Sequence, residues 1–357
     1  MARQGKRCPL CKAVVETDAA KCFACGAEFI DGGNEVRITG LSKDELSARM
    51  SETREKINSF KLPQRLYTLG IFSVIAAFFV LIGMTDGDLF GFPLLIPFLA
   101  LVSLIFFIMK AAGCSLYRER HKRTMVFLLK ENIGREVLAQ TFELDSYKPK
   151  DCIAAEVIKE TNLITGWNEW GGSDFVQAKY KGVPIVFSDI TLTCEYERRT
   201  KKGGKVKRSR TMFSGQWIEI SLARPVSAAV YLDERTDLFG TRRPDIKTEE
   251  VMTTSDAFNK KYRVLAQDPA MAFNILTPHF MERITAADNA ADSHTHFCFM
   301  GDRVRIAMQS DRNSFEIREL KEGMNADVYR SKVKADLQYI TGVVDELLKN
   351  EFLFGRS

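Results

Sequence analysis

The chain has 357 residues, 45% of them hydrophobic, with 51 Lys and Arg against 46 Asp and Glu for a net charge of +5. That length suits two or three units rather than one small module, and the apolar fraction excludes a disordered or low-complexity chain. Eight cysteines are too few for a disulfide scaffold, and so mild a basic excess does not by itself mark a nucleic-acid binder.

Residues 1–30 carry two Cys-x-x-Cys knuckles, Cys8/Cys11 and Cys22/Cys25. A two-residue spacer lets both thiolates of a knuckle face one ion. Four thiolates close a tetrahedral Zn²⁺ shell with no open position, which is a structural and not a catalytic site. A unit this short holds little apolar core, so the metal would supply its folding energy. Two disulfides or an iron–sulfur site are the alternatives. Disulfides need an oxidising compartment, and the basic Met1–Arg7 stretch is not followed by the apolar core of a secretion signal. The ribbon is therefore expected in the cytoplasm.

Residues 41–62 read as a short amphipathic arm. Ser42 and Glu45 have capping-box spacing, and Leu46, Met50, Thr53, Ile57 and Phe60 follow at spacings of four and three. The stripe reads first as a helix packed on its own chain or lying at a membrane surface, and second as a self-association seam. Two apolar stretches follow, at 66–84 and 89–110, with no charge before Lys110 at the end of the second. Each is long enough to cross about 30 Å of hydrocarbon. Pro93 and Pro97 should loosen the first half of the second. The link Thr85-Asp86-Gly87-Asp88 has no Lys or Arg, whereas basic residues from Arg49 to Arg65 and from Lys110 to Arg123 flank the pair. The positive-inside rule then places both ends in the cytoplasm of a multi-pass inner (plasma) membrane protein.

Residues 115–145 continue as a helix leaving the membrane, with Met125, Leu128, Leu129, Ile133 and Val137 as its apolar stripe. Periodicity then turns towards two. Phe175–Tyr180 and Val183–Leu192 flank Lys181-Gly182 as a β-hairpin. A longer hairpin runs from Thr191 through Lys201-Lys202-Gly203-Gly204 back to Phe213. Gln216–Leu222, Val226–Leu232 and Tyr262–Ala266 read as further strands. Thr277-Pro278 starts a helix. Phe297–Met300 and Arg303–Met308 read as a last hairpin about Gly301-Asp302, and 327–353 as a closing amphipathic helix. The fold class is α+β: a zinc ribbon, a two-helix transmembrane hairpin, and a cytoplasmic domain at 150–325 with a mainly antiparallel sheet.

The runs Tyr180–Asp189, Phe213–Trp217, Phe258–Val264, Ile275–Pro278, Met281–Ile284 and Val343–Leu348 resemble a bacterial membrane-protein family known as domain of unknown function 3137, over roughly residues 120 to 352. The resemblance implies two N-terminal spans and a cytosolic domain. It implies no activity and no site residues, and the zinc ribbon is an addition to the family's pattern.

Candidate chemistry is sparse. Arg198, Arg199, Lys201, Lys202, Lys205, Lys207, Arg208 and Arg210 surround the Gly-Gly turn. They read first as a solvated tip that protects a sheet edge, then as a contact for anionic lipid. Nucleic acid ranks third, because no aromatic residue interleaves the cations to stack bases. His294, His296 and Cys298 alternate, with Asp292 nearby, but ligands on one strand rarely converge on an ion. Trp167, Trp170, Gly171 and Gly172 read as a flexible aromatic loop, and Cys114, Cys152 and Cys194 as small buried residues. No nucleophile-elbow, zinc-protease, Walker or dinucleotide motif is found. The expected protein is a non-enzymatic scaffold or sensor with structural zinc, a lipid-bilayer anchor and unnamed protein partners, a second copy of the chain being one candidate; the alternatives are a membrane-tethered binder of nucleic acid or anionic lipid through the basic hairpin, and an enzyme of unrecognised type.

Overall fold

The computed structural model describes residues 5–8, 10, 14–17, 19–22, 27–30, 35–37, 41–84, 95–199, 204–235, 247–291, 294–309 and 325–355. The chain divides into two compact units, 1–132 and 133–357.

The first unit opens with two small antiparallel hairpins. One pairs β1 (Gly5–Arg7) with β2 (Val14–Glu16), the other β3 (Glu28–Ile30) with β4 (Glu35–Arg37). Helix α1 (Lys43–Ser59) follows, and its capping box is formed. The Glu45 amide donates to Ser42 Oγ at 3.2 Å, and the Ser42 amide donates to Glu45 Oε2 at 3.0 Å. Leu46, Met50, Thr53 and Ile57 are buried. Helices α2 (Lys61–Met84) and α3 (Leu95–Leu129) complete the unit, with α1 and α2 both packed on α3. The apolar stripe of α1 is thus used inside its own chain, with Phe60 against Tyr117 at 4.2 Å between ring centroids. Gly70 lets α2 approach α3: a Cβ there would lie 2.7 Å from the Phe107 ring, the small-residue contact that apolar helices favour. Pro97 falls in the first turn of α3, where no intrahelical N–H is required. Pro93, the start of the second expected span and the polar link 85–88 lie outside the described residues.

Helix α3 passes through a π-turn, Lys130–Gly134, into α4 (Arg135–Thr141). The helix expected over 115–145 is thus interrupted by a π-turn and ends at Thr141, with 143–145 in a strand. A seven-stranded antiparallel sheet follows. Its strands are β5 (Glu143–Lys148), β6 (Glu169–Tyr180), β7 (Val183–Arg199), β8 (Lys205–Glu234), β9 (Glu249–Val251), β10 (Tyr262–Ala266) and β11 (His294–Gln309). The order is β5-β6-β7-β8-β10-β9, with β11 paired to β8. The sheet is the mainly antiparallel one expected.

Three details of the expected strands change. The runs 205–213, 216–222 and 226–232 are one strand, β8, and 297–308 is one strand, β11, not a hairpin. Gly301-Asp302 looks like a hairpin turn but sits in an irregularity. Gly301 pairs with Val226 and Arg303 with Ser221, so Leu222–Pro225 of β8 face the single residue Asp302. The extra residues bend both strands, and Pro225, which has no N–H to donate, is accommodated there. Gly301 takes φ +61 at the shift. The aromatic loop also changes. Trp170, Gly171 and Gly172 belong to β6, and a Cβ on Gly172 would lie 2.0 Å from the Asp189 carbonyl oxygen, so only glycine fits. Trp167 stays in a loop, where its indole N–H donates to the Ile164 carbonyl. The Lys181-Gly182 turn is as expected, with φ of 52 and 80, the primed geometry that matches strand twist.

Both faces of the sheet are covered. On one, α5 (Ala155–Thr161) and its flanks bring Ile153, Ile158 and Leu163 onto Leu192, Phe213, Trp217 and Ala307. On the other, Phe142 meets Phe187, and Phe280 of α8 (Pro278–Ala291) meets Phe299. Short helices α6 (Asp256–Lys261) and α7 (Pro269–Ile275) flank β10. Helix α8 reaches Ala291, so the chain is helical to within three residues of β11. The closing helix is α9 (Ala326–Leu348), and Asn350 caps a separate turn, α10 (Glu351–Phe354).

Candidate functional site

Of the knuckle cysteines, Cys8 and Cys22 are described. Cys8 directly follows β1, and Cys22 follows Lys21, which bridges to Glu28. The Cys22 amide donates to the Ala27 carbonyl at 2.8 Å. Cys8 is 0% exposed and Cys22 1%. Lys6 ties the two hairpins by donating to the Ala19 carbonyl at 3.1 Å and lying 4.1 Å over the Phe29 ring. Cys11 and Cys25 lie outside the described residues. Among the described residues no three His, Cys, Asp or Glu side chains gather as a metal-binding set.

The alternating His/Cys run on β11 is occupied by structural pairs. His296 Nδ1 lies 3.1 Å from Asp233 Oδ1 and His294 Nδ1 3.5 Å from Glu234 Oε2. Asp292 is outside the described residues. Cys298 lies opposite Tyr231 inside the core. Burial pushes its thiol up to about 12. Its thiolate at pH 8 should then be rarer by about a thousandfold than that of an ordinary cysteine. Iodoacetamide followed by peptide mass spectrometry should leave Cys298 unmodified in the folded chain while alkylating the half-exposed Cys194.

Under α8 a buried polar cluster escaped the sequence reading. Asp288 Oδ2 accepts from the Tyr262 hydroxyl at 2.8 Å and pairs with Lys261 Nζ at 2.7 Å. Its other oxygen accepts from the Thr295 hydroxyl. The Thr295 amide donates to Glu234 Oε2 at 2.9 Å. Burial, then the Asp288 charge, pushes the Tyr262 phenol far above its usual range, and burial raises the Glu234 carboxyl. A four-residue spacing from Ile284 to Asp288 on a helical face was the available signal, hidden by the alanine-rich 286–291 stretch.

The basic arm is a two-stranded ribbon. Cys194–Arg199 of β7 pair with Lys205–Arg210 of β8, Arg199 opposite Lys205 and Tyr196 opposite Arg208. Among the described residues, pairing of β6 with β7 reaches Thr193 and that of β11 with β8 reaches Gly215. Arg198, Arg199, Lys205, Lys207, Arg208 and Arg210 are all exposed; Lys201 and Lys202 lie outside the described residues. Tyr196, at 48% exposure, stands among these cations. The expectation that no aromatic residue interleaves them was wrong, because the reading followed the chain and not the cross-strand partners.

A family match begins just beyond this arm. Residues 211–349 match the family described as Protein of unknown function (DUF3137). The match runs from within β8 to the end of α9, and is narrower than the resemblance over roughly 120 to 352: Tyr180–Asp189 falls outside it. No curated protein matches the chain. Among solved structures, the chain is similar to the mycobacterial trehalose monomycolate transport factor A, TtfA, with a TM-score of 0.36 and 11% identity over 62% of this chain and 94% of that one.

Proposed function

We propose that the chain is a bacterial inner-membrane protein, a non-enzymatic scaffold or sensor whose zinc ribbon and α+β domain both face the cytoplasm. One observation carries the reading. Helices α2 and α3 are long and apolar enough to cross a membrane, and almost none of their most apolar stretch is buried. Leu69, Phe72, Phe79, Phe98, Leu101 and Phe106 are all exposed, an uncovered apolar surface that water disfavours and lipid accepts. The link without Lys or Arg and the basic flanks support a hairpin with both ends inside. The two buried knuckle cysteines support zinc, and a ribbon and a sheet domain held on one surface raise each other's effective concentration for a shared partner.

Alkaline carbonate extraction should leave the chain in the membrane pellet. Protease added to inside-out vesicles should digest both the ribbon and a C-terminal tag, and both should survive in intact spheroplasts. Release by carbonate would end the membrane reading; survival of either end in inside-out vesicles would end the topology.

A further inference from the structure

The strand register sorts the cations of the β7/β8 ribbon onto two unlike faces. Residues on alternate positions, together with their cross-strand partners, share a face. One face carries Arg199, Lys205 and Lys207 with Glu195 and Glu197, and Lys205 Nζ lies 2.9 Å from Glu197 Oε2. Its charge is largely cancelled. Among the described residues of the ribbon, the other carries Arg198, Arg208 and Arg210 with Cys194, Tyr196 and Val206, and no acid. Tyr196 is 48% and Val206 40% exposed there.

We infer that this second face docks on an anionic bilayer surface, an inference that rests on the membrane reading above. Cations spread only for solubility would mix with acids on both faces, and would not frame an exposed Tyr and Val. A headgroup layer satisfies the whole set. Its phosphates accept the arginine forks, and its boundary with the acyl chains takes an apolar side chain and an amphipathic phenol. Single-stranded nucleic acid uses successive aromatic platforms, and this face offers one. Each arginine near such a surface strengthens contact about five-fold, and a chain already anchored by α2 and α3 needs no more than a few such contacts.

The test uses the full chain in nanodiscs of phosphatidylcholine, alone or mixed with phosphatidylglycerol, and reads amide hydrogen exchange in 194–199 and 205–210. Exchange should slow in the anionic discs only, and high salt should abolish the difference. R198Q/R208Q/R210Q should remove most of the protection, up to about a hundredfold. R199Q/K205Q/K207Q, the same change of charge on the other face, should retain most of it. Unchanged exchange in β11 reports that the sheet remains folded in each variant. Equal loss in the two triple variants, or equal exchange in the two kinds of disc, overturns the inference. So does protection by a single-stranded oligonucleotide in neutral discs without protection by phosphatidylglycerol. Failure of the chain to enter discs overturns the membrane reading as well, whereas a chain that enters and shows no lipid-dependent protection overturns this inference alone.

Discussion

Replacing Asp288 by Ala should destabilise the sheet unit by about 3–5 kcal/mol, the range for removing one partner of a buried ion pair. The side chain is 1% exposed and holds three groups at once: Lys261, the Tyr262 hydroxyl and the Thr295 hydroxyl. Alanine would take the acceptor from the Tyr262 hydroxyl, leave the Thr295 hydroxyl only the Tyr339 hydroxyl at 3.5 Å, and leave Lys261 the more distant Glu234 at 3.9 Å. Tyr262 is 1% exposed and Thr295 0%, so neither has water to turn to, and Lys261 would keep its Asn289 contact at 2.6 Å but lose its counter-charge at 2.7 Å. Each stranded donor carries its own desolvation cost. The Thr295 amide is held separately by Glu234, so β11 should keep its register while α8 loosens. In a unit of this size the midpoint of thermal unfolding should fall by roughly 6–20 °C, measured by circular dichroism on the full chain in detergent. Asp288→Asn keeps the shape and one acceptor oxygen and should cost less. Removing the exposed Lys181–Asp345 pair, where Lys181 is 56% exposed, should not shift the midpoint measurably, because solvent screens such a pair. A melt that treats Asp288→Ala like the surface variant would mean that the cluster does not hold α8 to the sheet.

The elements with an uninterrupted local signal could be read from the chain. The capping box at Ser42, the Lys181-Gly182 turn, Tyr262–Ala266 and the Thr277-Pro278 helix start all depend on residues within one turn or one strand of each other. The α1 stripe was readable too, but its destination was not: nothing in Leu46, Met50 and Ile57 says that they meet α3 and not a second chain. The failures share a cause. Gly301-Asp302 and Gly171-Gly172 carry the composition of turns, yet one sits in a strand irregularity and the other allows close backbone approach within β6. Glycine reports a backbone need without saying which. Strand β8 was divided because Ala223-Arg224-Pro225 resemble a loop, and only their pairing against Asp302 shows a bend in one strand. For the basic arm, eight cations can be counted along the chain, but the segregation of the six described ones into an acid-containing and an acid-free face depends on the cross-strand register, which composition does not contain.

Cys22→Ser should empty the proposed zinc site and unfold residues 5–30 while leaving the sheet unit intact. The ribbon's strands are three residues each. Its described buried apolar residues besides the cysteines are Leu10, Val15 and Ala27, too small a core to offset the conformational entropy of ordering the segment. Metal ligation supplies about 10–16 kcal/mol in small zinc units, so the folding of this segment should follow metal occupancy. Serine has nearly the shape of cysteine but is a poor zinc ligand, so the variant tests ligation more than packing. Purified chain should contain stoichiometric zinc by atomic emission, and a strong chelator should speed amide exchange in 5–30 without moving the thermal midpoint of the sheet. Cys194→Ser, on the exposed arm, should retain the metal. If zinc content is the same in Cys22→Ser, or if chelation leaves exchange in 5–30 unchanged, then the burial of Cys8 and Cys22 reflects apolar packing, and the ribbon is held by its hairpins alone.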